Sequence, residues 1–187
     1  MRILVLEPAH VVREALEQAG YEVSASLTSP LTLLNTIERV EPDVIVIGTG
    51  SPSREVLDPL AAISQHAPRP VVMFASDGTP EAIREAMKAG VSAYVVDGLD
   101  PARLKTIIDV ALARFEDFQR LRAELAEANL KLSERKLVER AKGILMKTRG
   151  MEEEAAYALL RKRAMDRKLR LGEVAQQLID AADLLGA

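Results

Sequence analysis

The sequence predicts an α/β protein: an open, doubly wound sheet of five parallel strands, then one very long helix, then a small all-α unit. Three observations carry this. Short apolar, often β-branched runs alternate with helix-length segments from the N-terminus to about residue 112, the pattern of successive βα units whose strands are buried on both faces. From Ala102 to about Thr148 there is no proline and a single glycine, Gly143, so an uninterrupted helix of about 45 residues is available. Beyond Gly150 two more helical segments follow, the first with three acids in its opening turn and bases in its last, as the helix dipole favours.

The strands are expected at ILVLE (3–7), EVSASL (22–27), VIVIG (44–48), PVVMFA (70–75) and AYVVD (93–97). Between them lie helices with chemical end signals: Val11 to Ala19 closed by Gly20, one opened by Ser29-Pro30, one around Leu57 to Ser64, and one opened by Thr79-Pro80 and closed by Gly90. A Ser or Thr cap supplies an acceptor for an orphan N–H, proline at the first helical position removes another, and glycine takes the left-handed exit. Functional loops of such a sheet gather at the carboxyl ends of its strands.

The fifth helix opens at Asp100-Pro101. Apolar residues recur at Leu104, Ile108, Ala111, Phe115 and Phe118, then at Leu121, Leu125, Ala128 and Leu132, alternating threes and fours as a coiled-coil seam does. The two successive threes at Phe115, Phe118 and Leu121 are a phase slip, where a part packed on the sheet hands over to a part that pairs with another helix. A dimer through Phe118, Leu121, Leu125, Ala128 and Leu132 is favoured; a helical hairpin within the chain is the alternative. Residues 151–169 and 171–185 complete a compact unit, with Ala141, Leu145, Leu159, Ala164, Val174, Leu178 and Ala182 expected as its core. The domains are therefore expected at 1–112, 113–134 (a coiled-coil linker) and 135–187.

Composition excludes several function classes. With 48% hydrophobic and 28% charged residues the chain should fold, and it has no cysteine, no membrane-length apolar run and no basic-then-apolar leader, which points to the cytoplasm. The two histidines, His10 and His66, are isolated, so no zinc site and no histidine-based triad can be assembled, and no metal or other cofactor is expected. No nucleophile, base and oxyanion donors can be named together, so the chain is not expected to be an enzyme. Residues 1–130 carry 12 Lys/Arg against 19 Asp/Glu, whereas 131–187 carry 13 against 9. A basic tail on an acidic body suits a polyanion, although a basic solvated helix face reads the same way.

The stretches RILVLE, DVIVIG and GVSAYVVDGLDPARL, in this order of elements, resemble a response-regulator receiver domain. The resemblance implies a receiver-like (flavodoxin-like) fold and an aspartyl phosphorylation site: an acidic pair after the first strand for Mg²⁺, an acceptor aspartate ending the third, Ser or Thr ending the fourth and Lys ending the fifth. Carboxylates hold the cation, one acts as nucleophile, and the hydroxyl and ammonium bind phosphoryl oxygens. Here those positions read Glu7-Pro8, Gly48, Ala75 and Asp97, and only Glu7 has suitable chemistry. Asp43 cannot replace the acceptor, because it lies at the other end of its strand, roughly 16 Å away. The expectation is a pseudo-receiver that has kept its fold and lost its chemistry. Tyr94 falls where receivers often carry a switch aromatic, and a plain core or surface tyrosine is equally compatible.

Glu139 to Ala181, with AKGILM, a glycine, EEEAAYALLRKRAM and EVA in sequence, resembles the ANTAR domain, an RNA-binding antitermination module appended to receivers. With the pseudo-receiver and the stretch GSPSREVL, nearly the whole chain resembles nitrate/nitrite-assimilation antiterminators of the NasT type. The resemblance implies a transcription antiterminator that holds leader hairpin loops of a messenger RNA, acts as a dimer, and answers to a nitrate- or nitrite-sensing protein instead of phosphorylation. Arg140, Lys142, Lys147 and Arg149 are expected to project outside the apolar stripe of the first helix, and Arg161, Arg167 and Lys168 to crowd the second. Tyr157 is placed to stack an unpaired base. A DNA-binding regulator with a degenerate receiver is the alternative, but a third helix opening LGEVAQQ is acidic and poorly suited to reading a groove.

Overall fold

The computed structural model describes residues 1–185; the last two residues of the domain expected over 135–187 lie outside the described residues. Strands β1 (Ile3–Leu6), β2 (Val23–Leu27), β3 (Val44–Thr49), β4 (Val71–Ala75) and β5 (Ala93–Val96) alternate with helices α1 (Val11–Gln18), α2 (Leu33–Val40), α3 (Arg54–His66), α4 (Pro80–Lys88) and α5 (Pro101–Arg149). Helices α6 (Glu153–Arg167) and α7 (Leu171–Leu185) follow. The sheet runs β2-β1-β3-β4-β5 with every neighbouring pair parallel. In this order the direction of winding reverses between β1 and β3, whose register pairs Leu6 with Ile47, so Glu7 and Gly48 emerge side by side at the crevice where such folds carry their sites.

Alternation along the strands builds two cores. Ile3, Val5, Val44, Val46, Val72 and Phe74 pack against Val12 and Leu16 of α1 and Leu104, Ile108 and Ala111 of α5. Leu4, Leu6, Ile45, Ile47, Val71 and Met73 pack against α2, α3 and α4 through Leu33, Ile37, Leu60, Ile63 and Ala86. Both faces are covered, which is why these strands read as continuous apolar runs. The serines of β2 fit its edge position, where the strand is only half-buried.

Most helix ends follow the predicted chemistry. Thr79 Oγ1 accepts from Ala82 N at 3.3 Å, and Gly20, Gly90 and Gly150 take φ of 84°, 98° and 61°. Two ends differ. Ser29-Pro30 opens a short 3-10 turn, Pro30–Thr32, before α2 begins at Leu33. Helix α3 starts at Arg54 and runs through Pro59 in its second turn, which looks like a breaker in sequence and removes one intrahelical donor, the one that would bond the Glu55 carbonyl.

The chain divides into compact units at Gln119 and Arg120, within α5. In the first, Leu104, Ile108 and Ala111 are fully buried. In the second, Val138, Ala141 and Leu145 of α5 pack with Ala156, Leu160 and Ala164 of α6 and Val174, Ala175 and Ile179 of α7. Leu159 and Leu178, expected in that core, are half-buried at its margin, and Leu160 and Ile179 take their places. One residue turns a helix by about 100°, and the stripe of α6 that meets its neighbours is Ala156, Leu160, Ala164, spaced by four. Among the described residues no helix is long and apolar enough to cross a membrane.

Candidate functional site

At the crevice, Glu7 is buried, and both of its carboxylate oxygens are engaged: Val12 N donates to Oε2 and Arg13 N to Oε1, each at 2.7 Å. The carboxylate thus satisfies the orphan amides that open α1, which the approaching chain does not do by itself, because His10 at the cap position is left-handed (φ 56°) and makes no side-chain cap bond. Gly48 faces this arrangement. A Cβ there would lie 2.6 Å from Val12 Cγ2, 3.3 Å from Glu7 Cβ and 3.5 Å from Glu7 Oε2. The room an acceptor side chain needs is filled by Val12.

The surrounding cleft, about 410 Å³, is lined by Pro8, Ala9, Val11, Phe74, Ala75 and Leu99 among others, and no lysine or arginine lines it. Asp97, where receivers place an ammonium, is exposed, with φ 46°. Asp43 sits at the opposite end of β3, accepting from Arg2 N at 2.6 Å. The residues present do not fit Mg²⁺: Pro8 and Gly48 have no carboxylate, and both oxygens of Glu7 are committed to amides. Among the described residues no group of three or more His, Cys, Asp or Glu side chains could hold a metal ion.

Beside the cleft the loops after β3 and β4 are tied together. Ser51 Oγ donates to Asp77 Oδ2 at 2.7 Å and Thr79 N to Asp77 Oδ1 at 2.9 Å, and Ser76 N and Asp77 N donate to Gly50 O. The Thr79 amide first, then Ser51, hold the Asp77 carboxyl below its ordinary range. Tyr94 is half-buried, with its hydroxyl donating to Asp77 O at 2.6 Å.

In the helical unit the cations separate into two groups. Lys142 was expected to project outside the apolar stripe; instead it is buried, with Nζ 2.6 Å from Glu153 Oε1 and 2.9 Å from Glu139 Oε1. The hydrogen bond to Glu153, then that to Glu139, raise the Lys142 ammonium above its ordinary value, and Lys142 in turn holds the Glu153 carboxyl below the usual range. Arg140 makes two bonds to Asp183, at 3.0 and 3.1 Å, and Arg167 Nη1 donates to Gln177 Oε1 at 3.2 Å. Lys147, Arg149, Arg161 and Lys168 are exposed and form no ion pair among the described residues. Tyr157 is partly exposed beside Lys142, Glu153 and Glu154, around a shallow space of about 400 Å³. Phe118, Leu121, Leu125 and Leu132 are 57%, 61%, 63% and 54% exposed, with Ala128 exposed between them, so this seam has no partner within the described chain.

Sequence reasoning missed three participants. Val12 plugs the acceptor position, a through-space fact with no sequence signal. Glu139, three residues before Lys142, had the spacing of an intrahelical pair and could have been found. Glu153 is eleven residues from Lys142 on another helix and could not.

A five-stranded parallel sheet of this order is thus followed, through the single helix α5, by a basic helical unit. The response regulator receiver domain family matches residues 7–109 and the ANTAR domain family residues 126–179. The chain belongs to the response-regulator receiver family and carries an ANTAR domain. It is similar to the transcriptional regulatory protein PdtaR of Mycobacterium tuberculosis, 29% identical over 183 residues, which cover 96% of this chain and 89% of that protein. A nitrate regulatory protein of Klebsiella oxytoca is 40% identical over 75 residues, 40% of this chain and 19% of that protein. Among solved structures, the signal receiver domain of a modulated diguanylate cyclase from Desulfovibrio desulfuricans G20 matches with a TM-score of 0.53 at 16% identity, covering 62% of this chain and 95% of that one. That match speaks to the fold alone.

Proposed function

We propose that the chain is an RNA-binding transcription antiterminator, acting as a dimer on leader hairpins of a messenger RNA and controlled by a partner protein without aspartyl phosphorylation. The observation that carries this reading is the joining of an ANTAR domain to a receiver whose acceptor position is a glycine plugged by Val12. Lys147, Arg149, Arg161 and Lys168 are available for phosphate, with Tyr157 available for a base. Holding one hairpin keeps a competing terminator stem from forming, which requires binding free energy and no catalysis. The exposed seam of α5 joins two copies, so the second hairpin is met intramolecularly. The nitrate regulatory relative, matched over 40% of this chain, favours nitrate or nitrite assimilation as the controlled process, and the partner we propose is a nitrate-sensing protein in the cytoplasm. A signal then acts only through that partner's different affinity for two states of this chain.

The test is equilibrium binding of the full chain to a pool of RNA hairpins with randomised loops and to duplex DNA of equal length at equal salt. Enrichment of particular hairpins over the DNA is expected. Tighter binding to the duplex overturns the RNA reading in favour of a DNA-binding regulator.

A further inference from the structure

Glycine in the interior of an exposed helix weakens that helix relative to alanine, so each such residue calls for a compensating gain. The other described glycines have one within the chain or lie in loops. Gly20, Gly90 and Gly150 hold positive φ. A Cβ at Gly48, Gly78 or Gly172 would meet a neighbour at 2.6, 3.1 or 2.8 Å, and Gly50 and Gly98 are outside regular elements. Gly143 has neither reason. It lies well inside α5, is exposed, and a Cβ there would meet nothing within 4 Å. A Gly143→Ala change is therefore free of steric cost in the isolated chain.

Its neighbours along the helix indicate what uses the space. Lys136, Arg140, Gly143 and Lys147 follow one another at steps of four, three and four, which at 100° per residue places them within a narrow band of the surface. All four are exposed. Lys136 and Lys147 form no ion pair among the described residues, and Arg140 is held only by a surface pair with Asp183, a contact that is weak in water. The band is thus a line of cations about 16 Å long, with its one side-chain-free step near the middle.

We propose that this band of α5 seats one RNA strand, and that the sugar–phosphate backbone comes closest to the helix at Gly143, where the missing side chain lets the strand drop between the flanking cations. This rests on the RNA-binding reading above and specifies where on the unit the strand lies. Gly143 acts by position: it offers the strand no charge and sets the distance at which Arg140 and Lys147 meet phosphates.

The experiment compares Gly143→Ala, Gly143→Leu and Arg161→Ala with the unaltered full chain. It reads Tm and the affinity for one hairpin enriched from the randomised pool, over a range of salt. Gly143→Ala is expected to raise Tm by about 2 °C while weakening RNA binding, opposite signs that a purely structural glycine would not give. Gly143→Leu is expected to weaken binding by about tenfold or more and to lower the salt slope by about 0.7 to 1.4, the loss of one or two phosphate contacts. Wild-type affinity and slope in both glycine variants, alongside weakened binding by Arg161→Ala, overturns this placement and leaves the RNA reading intact. A lower Tm for Gly143→Ala also overturns it, by revealing a structural need for the glycine. If the unaltered chain enriches no hairpin, both readings fall.

Discussion

At Gly48 an absent side chain and a present one have the same importance. Losing the acceptor carboxylate removes the nucleophile, and Val12 Cγ2, 2.6 Å from where a Cβ would stand, occupies its space. Restoring the carboxylate is therefore not enough. Gly48→Asp is expected to cost about 1 to 3 kcal/mol by overpacking, seen as a lower Tm. With acetyl phosphate and Mg²⁺ neither it nor the unaltered chain should acquire acid-labile phosphate, and stoichiometric labelling of either would contradict the closed site. Lys142 teaches the complementary lesson, a charged residue drawn inward because two carboxylates meet it. Its ammonium is raised and Glu153 is lowered, so two pH limbs follow. The Glu153 contribution is present above the unfolded carboxylate value of about 4.3 and is lost as pH falls through the lower folded one. The Lys142 contribution is present below about 10.4 and is lost only as pH rises through the higher folded one. Lys142→Met, which keeps the apolar stem, should lower Tm near neutral pH and show a smaller loss of Tm on acidification below about pH 4.3. An acid limb identical to that of the unaltered chain would refute the pair's role.

Helix α5 performs three tasks in succession along 49 residues. Its first turns close the sheet through Leu104, Ile108 and Ala111, its last turns build the helical unit's core through Val138, Ala141 and Leu145, and the seam between has exposed apolar residues. The phase slip at Phe115, Phe118 and Leu121 coincides with the change from half-buried Phe115 to exposed Phe118. A stripe that starts on the sheet could not stay on one line through three partners without such an adjustment. Leu121→Glu combined with Leu125→Glu should convert a dimer to a monomer by sedimentation equilibrium, while the thermal transition of the sheet unit is unchanged. An unaltered mass would show that the seam is not the contact.

At the scale of the whole molecule, an acidic sheet unit is covalently joined to a unit in which bases outnumber acids. Phosphate contacts release counterions, so hairpin affinity should fall linearly in log–log against salt, with about 0.7 of slope per contact for single-stranded loops. Lys147→Ala combined with Arg161→Ala, at two exposed cations without ion pairs, should reduce that slope by about 1.4. Lys142→Met should leave the slope unchanged, because its ammonium already belongs to Glu139 and Glu153. A slope that falls with Lys142→Met and not with the double variant would reverse this assignment.

Periodicity and end chemistry made the five strands, the long helix and the two short ones legible in the sequence, since apolar spacing and Ser/Thr-Pro or glycine ends act within a few residues of one another. The departure from the receiver pattern was legible too, because Gly48, Ala75 and Asp97 stand where the resemblance places an acceptor carboxylate, a hydroxyl and an ammonium. Three things depended on contacts between residues far apart in the chain or in separate elements. Val12 and Glu7 fill the acceptor position from the next strand and helix. Leu160 and Ile179, one residue away from the expected Leu159 and Leu178, are buried because the facing helices choose the stripe. Lys142 is taken out of the exposed cations by Glu153 of α6. Local pattern fixes where a helix begins and which residues share a face; only packing determines which face is covered, and therefore which charges are left for a partner.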